Sequence, residues 1–294
     1  MLIASVGVCA YNEERNLGPC LESIRLQTLS AADLVEVLVI SSGSTDGTDE
    51  IARHYAKTDS RFRLIRQEKR EGKNSAINEF LHQAKGQVFV LVNADNRLEP
   101  GALEALLAPF DDASVGVVGG HPVPVNDASD LAGFAVRMLW DMHHRVALIH
   151  PKVGELVAFR APGIELPMAT QSDEDLIRLE SEKRGLRTVY APEARVRNKG
   201  PTTVGDFWKQ RTRVNIGERY LKRWHRYQVP TWDVGLLLVA YGGFLRDNWR
   251  HPLLVFGAMA LEGAARVYAS LYVAMDRGDR AVWSQVSSTK DLQK

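Results

Sequence analysis

The 294-residue sequence contains only two cysteines, Cys9 and Cys20. Two thiols are too few for a disulfide framework or a thiolate metal site, and they fit a reducing cytosolic compartment. An excess of one charge is also lacking, since 37 Lys and Arg balance 36 Asp and Glu. A net charge of +1 gives no global attraction for nucleic acid, so no nucleic-acid partner is expected.

A signal sequence is not expected either. The first ten residues lack a basic region followed by a long apolar stretch, and they indicate a strand instead. Internal repeats and low-complexity tracts are missing as well. The 45% hydrophobic content is ordinary for a folded core. The sequence therefore predicts a globular chain whose catalytic part stays on the cytosolic side.

Short apolar strands alternate with amphipathic helices in the first half of the chain. Strands are predicted at residues 2–9, 35–40, 62–65 and 87–92, and helices at residues 16–27, 48–57 and 73–85. This alternation is typical of an α/β fold with a mainly parallel sheet that is covered on both faces. We expect a Rossmann-like catalytic domain at residues 1–226.

The second half of that domain is less regular. A helix is predicted at 131–149, a strand at 156–160, an acidic stretch just before a helix at 173–175, and a helix at 204–223. We expect residues 1–121 to bind the nucleotide part of a substrate and residues 122–226 to shape the acceptor side. Residues 227–294 are predicted to be a separate, membrane-associated helical region.

Three polar segments directly follow predicted strands. They are residues 10–14, 41–46 and 93–96. Ligands of parallel α/β sheets bind beyond the carboxyl ends of the strands, so these segments are expected to meet in one crevice. Asp95 could there hold Mg²⁺ or Mn²⁺ against a diphosphate, and the alternative is a simple polar turn.

Four clusters, one of them within residues 41–46, have a chemical and an ordinary interpretation. The segment with Ser41 and Ser42 could receive a nucleoside or cap the next helix. Lys73 opens a helix, where phosphate is favoured, although surface helix starts look similar. Asp173, Glu174 and Asp175 could supply a general base or simply face the helix dipole. Gln210, Arg211 and Arg213 could bind a diphosphate or could simply form a solvated basic face of a helix.

Taken together and in this order, the segments resemble family 2 of the inverting glycosyltransferases over about residues 3 to 220. The resemblance implies a GT-A fold and a nucleoside-diphosphate-sugar donor. It implies that Ala10 and Tyr11 approach the donor base and that Asn12 and Glu13 fix the loop. Ser41 and Ser42 stand where the family usually has an acidic pair.

The same resemblance assigns the remaining site residues. Lys73 looks like the family's donor-contacting lysine, and Asn93-Ala94-Asp95 is similar to its Asp-x-Asp motif, with Asp95 as the metal ligand. The spacing to Gly185 makes Glu174 the implied base, with Asp173 in reserve. Gln210 to Val214 is similar to the Gln-x-x-Arg-Trp motif of processive synthases, but Val214 replaces Trp. A non-processive enzyme is therefore expected.

The C-terminal region contains two apolar stretches. Residues 234–245 would form a helix of only ~18 Å, too short for a ~30 Å hydrocarbon core. Residues 252–275 are long enough but contain Glu262 and Arg266, which are costly in lipid. We therefore expect an in-plane or re-entrant helix pair at the cytoplasmic face of the cell membrane, and a lipid or lipid-linked acceptor.

Aromatic and cationic side chains bracket these stretches, as membrane anchors do, although an interface of a homo-oligomer is the alternative. They are Trp224, Tyr227, Trp232, Trp249, Trp283, Arg219, Lys222, Arg223, Arg226, Arg246 and Arg250. Two rival functions also fit the sequence: a nucleotidyltransferase, which would release pyrophosphate, and a sugar-nucleotide-binding scaffold without catalysis.

Overall fold

The computed structural model describes residues 1–160, 163–168, 173–227 and 229–275, together with Thr289 and Leu292. In these residues a single mixed, mainly parallel sheet is flanked by helices. The predicted α/β class is thereby confirmed. Trp283, one of the predicted membrane anchors, lies outside the described residues.

The sheet of the described residues has eight strands. In chain order they are β1 Leu2–Ala10, β2 Ala32–Ser42, β3 Phe62–Gln67, β4 Val88–Asn93, β5 Arg97–Leu98, β6 Val115–Pro124, β7 Leu156–Phe159 and β8 Arg187–Asn198. Their order across the sheet is β3-β2-β1-β4-β7-β6-β8-β5. Strands β3, β2, β1 and β4 are parallel, whereas β7 is antiparallel to both of its neighbours. The central strands are apolar on both faces because helices cover both.

The helices of the described residues are α1 Leu17–Arg25, α2 Thr48–Thr58, α3 Lys73–Gln83, α4 Ala102–Leu107, α5 Leu131–Ile149, α6 Asp173–Lys183, α7 Val204–His225, α8 Val234–Asp247 and α9 Pro252–Ala274. Three helices have a side-chain cap at the amino end. A backbone N–H of the first turn donates to the side-chain oxygen of Asp130 in α5, of Thr203 in α7 and of Asp233 in α8. These caps satisfy N–H groups that have no partner inside the helix.

The predicted elements are found, with boundaries that shift by a few residues. One correction concerns the acidic stretch: Asp173, Glu174 and Asp175 are the first turn of α6 and do not precede it. Strands β6 and β8 were not predicted. In β6 the pair Gly119-Gly120 and two prolines hide the strand pattern, yet a Cβ at Gly119 would lie 2.4 Å from the Lys152 carbonyl oxygen, so packing requires glycine there.

Apolar side chains fill both sides of the sheet. One cluster joins β1 and β4 to α1 and α4, through residues such as Leu21 and Leu103. The other joins the opposite face to α3 and α6, through Phe80 and Ile177. At Gly7 the strand comes so close to α3 that a Cβ would lie 2.6 Å from the Phe80 ring. These layers hold the carboxyl ends of β1, β2 and β4 in fixed positions.

The two C-terminal helices pack against α5 and α7. Phe244 of α8 and Ala258 of α9 share a buried cluster with Phe134 and Phe207. Further along, Tyr220 of α7 contacts α9 at Ala269 and Val273. The predicted C-terminal region therefore shares a core with the second half of the catalytic domain, and a division near residue 226 stays a prediction.

Glu262 in the middle of α9 is 2% exposed and accepts hydrogen bonds from two arginines. Arg211 of α7 donates from Nε at 2.8 Å and from Nη2 at 2.9 Å, and Arg266 donates from Nε at 2.8 Å. The sequence showed Glu262 and Arg266 only as two charges that are costly in lipid. The structure instead buries Glu262 between α7 and α9, where both arginines satisfy its charge.

Replacing Glu262 by alanine is expected to lower the free energy of unfolding by ~3–5 kcal/mol, because two partly buried guanidinium groups lose their carboxylate. For a chain of this size this corresponds to a fall in Tm of roughly 6–10 °C, measurable by thermal unfolding. The matched control is Glu50→Ala, which breaks an exposed pair with Arg53 and should change Tm by about 1–2 °C at most. Equal shifts for both variants would contradict the structural role of Glu262.

Candidate active site

The carboxyl ends of β1, β2 and β4 lie side by side, and the amino end of the antiparallel β7 joins them at the same edge. A cavity of about 510 Å³, the main cavity, opens there. Its lining includes most of the predicted site residues: Ala10, Tyr11, Glu13, Ser42, Lys73, Asn93, Ala94, Asp95, Asp173, Glu174, Asp175, Gln210, Arg211 and Arg213. Segments far apart in the chain therefore meet in one crevice, as the strand-end rule predicts.

The loop after β1 is tied to the loop after β2. Asn12 has a φ of 52°, and its Oδ1 accepts the backbone N–H of Thr45 at 2.9 Å. The backbone N–H of Glu13 donates to Oγ1 of Thr48 at 2.8 Å. Asparagine is one of the few residues that adopt this left-handed conformation readily. Asn12 and Glu13 thus hold the two loops together beside the cavity.

The two serines after β2 have different surroundings. Ser41 is fully buried, and its Oγ donates to Oδ1 of Asp49 at 2.5 Å. Ser42 lines the main cavity, and its Oγ accepts the backbone N–H of Glu71 at 3.2 Å. Ser41 therefore stabilises the loop from below through Asp49. Ser42 is the serine of this pair that a ligand in the cavity would contact.

Tyr11 is covered by an arginine that sequence reasoning missed. The guanidinium carbon of Arg70 lies 4.3 Å from the centroid of the Tyr11 ring, and both side chains line the main cavity. This distance is that of a cation–π contact. The pair gives the cavity wall near β1 an aromatic surface with a positive charge beside it.

Two partly buried carboxylates, Asp95 and Glu155, lie next to each other after β4 and before β7. Burial raises the pKa of Asp95, and burial together with the Asp95 charge raises the pKa of Glu155. Glu155 is held by the side-chain amide of Asn93, and its carbonyl oxygen accepts from Asn96 Nδ2 at 3.2 Å. Two neighbouring, partly buried carboxylates leave negative charge that a hard cation would neutralise.

The described residues contain no cluster of three or more His, Cys, Asp or Glu side chains that could hold a metal ion by themselves. An ion at Asp95 would therefore take further ligands from a diphosphate or from water. Magnesium is commonly bound in this way, through one or two carboxylates plus substrate phosphates. The residues at this edge of the sheet thus fit a cation that arrives with its ligand.

Lys73 connects the donor-side loop to α6. Its Nζ lies 2.7 Å from Oδ2 of Asp173 and 3.0 Å from Oε1 of Glu174. Although burial alone would lower it, these two carboxylates hold the pKa of Lys73 well above its usual value. Gly72, with a φ of 99°, provides the backbone turn that brings Lys73 to this position. Lys73 is a fixed positive charge in the main cavity.

The three consecutive acids of α6, Asp173, Glu174 and Asp175, differ in their pKa and in their neighbours. Burial and the Glu174 charge raise the pKa of Asp173 to about 6, whereas Lys73 holds the pKa of Glu174 below its usual value despite burial. Asp175 faces away from Lys73, toward Lys152 and Glu218, and burial raises its pKa to about 7. Of the two acids beside Lys73, Glu174 is the more accessible, with 25% of its side chain exposed against 5% for Asp173.

Replacing Asp175 by asparagine is expected to stabilise the protein above pH 7. The folded-state pKa of about 7 exceeds the ordinary value of 3.8, so the folded chain binds the proton more tightly. The free energy of unfolding therefore falls as pH rises from about 4 to about 7. The variant should raise Tm by about 2–5 °C at pH 8, and by less at pH 5, in thermal unfolding scans. A larger gain at pH 5 would contradict this sign.

Helix α7 presents different side chains to different neighbours. Gln210 and Arg213 lie on one face and line the main cavity. Burial lowers the pKa of Arg213, while the charges of Asp173, Glu155 and Glu174 act in the opposite direction, so its guanidinium belongs to the acidic centre. Arg211 also borders the cavity, but its guanidinium is bonded to Glu262. The predicted diphosphate role of Arg211 stays a prediction, and the structure adds a contact of Arg211 with Glu262.

The chain matches known families at the sequence level. Residues 5–166 match the family described as Glycosyl transferase family 2, and residues 88–274 match the one described as Glycosyl transferase family group 2. The first match alone covers more than half of the chain. The chain belongs to glycosyl transferase family 2.

Curated relatives are matched over a part of their length. The protein EpsH of Bacillus subtilis (strain 168), which is named as a glycosyltransferase, is 32% identical over 123 residues. These residues are 42% of this chain and 35% of EpsH, so the match spans about a third of that relative.

Two solved structures share the fold. A mannosyltransferase from Pyrobaculum calidifontis, solved in complex with GDP-Man and Mn²⁺, superposes with a TM-score of 0.64 at 20% identity, covering 93% of this chain and 87% of that one. Glucosyl-3-phosphoglycerate synthase from Mycobacterium tuberculosis, solved with Mn²⁺, UDP and phosphoglyceric acid, gives 0.54 at 18% identity, covering 76% and 78%. At these identities the likeness establishes the GT-A fold.

Proposed function

We propose that the protein transfers a sugar from a nucleoside-diphosphate donor to an acceptor hydroxyl with inversion of configuration. The observation that carries this proposal is the grouping of Asp95, Glu155, Lys73, Glu174 and Arg213 around one cavity. The cavity is lined both by a carboxylate pair suited to a cation and by the more accessible carboxylate of Glu174. A single displacement between them needs no covalent intermediate.

The donor occupies the side of the cavity formed by β1, β2 and β4. Tyr11 and Ser42 lie where a nucleoside enters, and Lys73 and Arg213 provide positive charge for the diphosphate. Mg²⁺ or Mn²⁺ held by Asp95 would supply positive charge that stabilises the departing diphosphate. The Mn²⁺ complexes of the two solved GT-A enzymes support this assignment.

Glu174 is the proposed general base. It accepts the proton of the acceptor hydroxyl while that oxygen forms a bond to the anomeric carbon. The bond from the anomeric carbon to the diphosphate oxygen breaks, and its electron pair leaves with the nucleoside diphosphate. Lys73 keeps Glu174 ionised before the acceptor binds, and Arg213 offsets the charge that develops on the leaving group.

A panel of UDP-, GDP- and TDP-sugars tests this function. Binding of the right donor should raise Tm in the presence of Mn²⁺, because a ligand that binds the folded state stabilises it by mass action. Incubation of that donor should then release nucleoside diphosphate. Release of pyrophosphate would indicate a nucleotidyltransferase, and binding without turnover would indicate a non-catalytic scaffold.

We further propose that α8 and α9 seat the enzyme on the cytoplasmic face of a membrane, where it meets a lipid-linked acceptor. Of the described helices, α9 alone has the length and composition to cross a bilayer, and 28% of its most apolar stretch is buried. Exposed apolar side chains include Leu238 of α8 at 69%, Leu253 of α9 at 85% and Phe256 of α9 at 75%. Such a face favours an in-plane arrangement, because the other face of α9 packs on α7 and buries Glu262 against Arg211.

The predicted anchors differ in their surroundings. Trp224 and Trp249 are exposed, at 52% and 68%, and remain candidates for the membrane interface. Trp232 instead lies between two guanidinium groups, with Arg219 at 3.7 Å and Arg266 at 4.7 Å from its ring. Its indole N–H donates to Glu218 at 2.6 Å. Trp232 and Arg219 therefore serve internal packing.

Membrane seating predicts that Leu253→Asp/Phe256→Asp weakens binding to phosphatidylglycerol-containing liposomes. Each exposed apolar side chain is worth about 1.5–3 kcal/mol when it leaves water, so the partition coefficient should fall by at least ~10-fold in co-sedimentation. Leu26→Asp, at an exposed position after α1, is the matched control and should bind like the wild type. Failure of the wild type to sediment with liposomes would remove the proposal.

A further inference from the structure

A second polar group lines the main cavity. Trp140 of α5, Lys152 of the segment before β7 and Asp175 of α6 all line it. We call these three residues the acceptor wall. They are not used in the transfer step described above, in which Lys73 and Glu174 take part.

Lys152 and Asp175 carry opposite charges but do not contact each other. Lys152 is only 8% exposed, and within the described chain it forms no hydrogen bond or ion pair. The Asp175 side chain likewise has no hydrogen-bond or ion-pair partner among the residues that the structure describes. The Lys152 charge nevertheless lowers the pKa of Asp175, against the larger effect of burial. A buried cation and an acid that face one cavity without pairing leave a donor and an acceptor available to a ligand.

The charges around this gap disfavour two kinds of ligand group. A phosphate at Lys152 would lie near the carboxylates of Asp175 and Glu218, which repel it. A cationic group at Asp175 would lie near Lys152. A hydroxyl fits both, because its oxygen accepts from the ammonium group while its proton is donated to the carboxylate.

His143 supports the same conclusion. Its Nε2 lies 3.0 Å from the carbonyl oxygen of Val153, so this nitrogen carries the proton that it donates. Burial lowers the pKa of His143 to about 3, so the ring is neutral and adds no positive charge for an anion. Trp140 contacts this ring edge-to-face at 5.4 Å and provides an aromatic surface beside Lys152. A pyranose has an apolar C–H surface that fits such a ring, and hydroxyls at its rim.

We propose that the acceptor group is itself a sugar, which stacks on Trp140 and bridges Lys152 and Asp175 through a hydroxyl. This inference rests on the proposed function and narrows it: the acceptor is a lipid-linked glycoside and not a bare lipid phosphate. Asp175 then orients the acceptor, and Glu174 takes the proton.

The test compares acceptors of different chemistry. Octyl β-glucoside, octyl α-mannoside and octyl β-galactoside are offered beside 1-octanol and undecaprenyl phosphate, with Mn²⁺ and UDP-glucose or GDP-mannose, whichever is hydrolysed. Products are identified by mass spectrometry. We expect transfer to at least one octyl glycoside, at a higher kcat/KM than to octanol or undecaprenyl phosphate. Preference for either of these two acceptors would overturn the inference.

Variants then test the acceptor wall. Lys152→Met keeps the apolar stem but removes the donor, so the KM for the octyl glycoside should rise ~10-fold or more. Trp140→Ala should have a similar effect, and Trp140→Phe should retain most of the binding. Lys209→Met, at an exposed lysine on α7, is the matched control with an unchanged KM.

An unchanged KM in both Lys152→Met and Trp140→Ala would overturn the inference but leave the proposed function intact. If the wild type neither hydrolyses nor transfers any donor sugar in the presence of Mn²⁺, the proposed function fails, and this inference fails with it. The two failures are therefore distinguishable from the wild-type reaction alone.

Discussion

Replacing Asp95 by alanine is expected to lower kcat at least ~100-fold, because the leaving diphosphate loses the carboxylate that would anchor its counter-charge. Asp95 lies at the end of β4, where the sheet fixes its position, and its pKa is raised by burial. The chain offers Glu155 as a neighbouring carboxylate, but the amides that hold Glu155 restrict its movement. We therefore expect Glu155 to be a poor replacement for Asp95 as a metal ligand.

The measurement is release of nucleoside diphosphate over a range of Mn²⁺ concentrations. In Asp95→Ala the Mn²⁺ dependence should weaken together with the rate, since the ion loses a protein ligand. Asp33→Ala, at an exposed position in β2, is the matched control for general effects on the fold. Wild-type kcat in Asp95→Ala would contradict the metal-binding role.

The arginines of α7 should behave differently from Asp95 and from each other. Arg213→Ala removes one charge that faces the diphosphate, and a smaller loss of about 10-fold is expected. Arg211→Ala leaves Glu262 with a single arginine, so its main effect should be on stability. The sequence grouped Arg211 with Arg213, because the partner of Arg211 lies 51 residues further along the chain. That separation gives no local signal.

Much of the donor side could be predicted because parallel strands end at one edge. The residues after β1, β2 and β4 were identified from strand position alone, and Lys73 from its place at a helix start. Glu155 was missed because β7 is antiparallel to β4, so its amino end lies at that edge. An acid just before the predicted strand at 156–160 was the available signal. Strand direction depends on pairing, and one sequence does not show it.

The acceptor side was harder to predict. Trp140 and Lys152 lie 35 residues and 23 residues before Asp175, in elements that meet only through tertiary packing. The divergence of the three acids follows from helix geometry, since successive residues of α6 are rotated by about 100°. The sequence analysis placed the three acids before the helix, so it gave them no helical rotation. Helix bounds that include them would have predicted that Asp175 and Glu174 point in different directions.

Replacing Glu174 by glutamine is expected to lower kcat by ~10²–10⁴-fold, because the acceptor hydroxyl loses its proton acceptor while the side chain keeps its size. Asp173→Asn is the matched comparison. Its kcat is expected to fall about 10-fold, because Asp173 and Glu174 share the Lys73 ion pair. The reason for this order is access, since Glu174 is the more exposed of the two in the cavity.

The pH dependence of wild-type kcat/KM separates the same two carboxylates. The base acts in its ionised form, so the rate falls as pH drops through the pKa of the base. Lys73 holds the pKa of Glu174 below 4.5, and we therefore expect a flat profile from pH 8 down to about 5. If Asp173 were the base, its pKa of about 6 would halve the rate near pH 6. A midpoint there, combined with a larger loss in Asp173→Asn than in Glu174→Gln, would assign the base to Asp173.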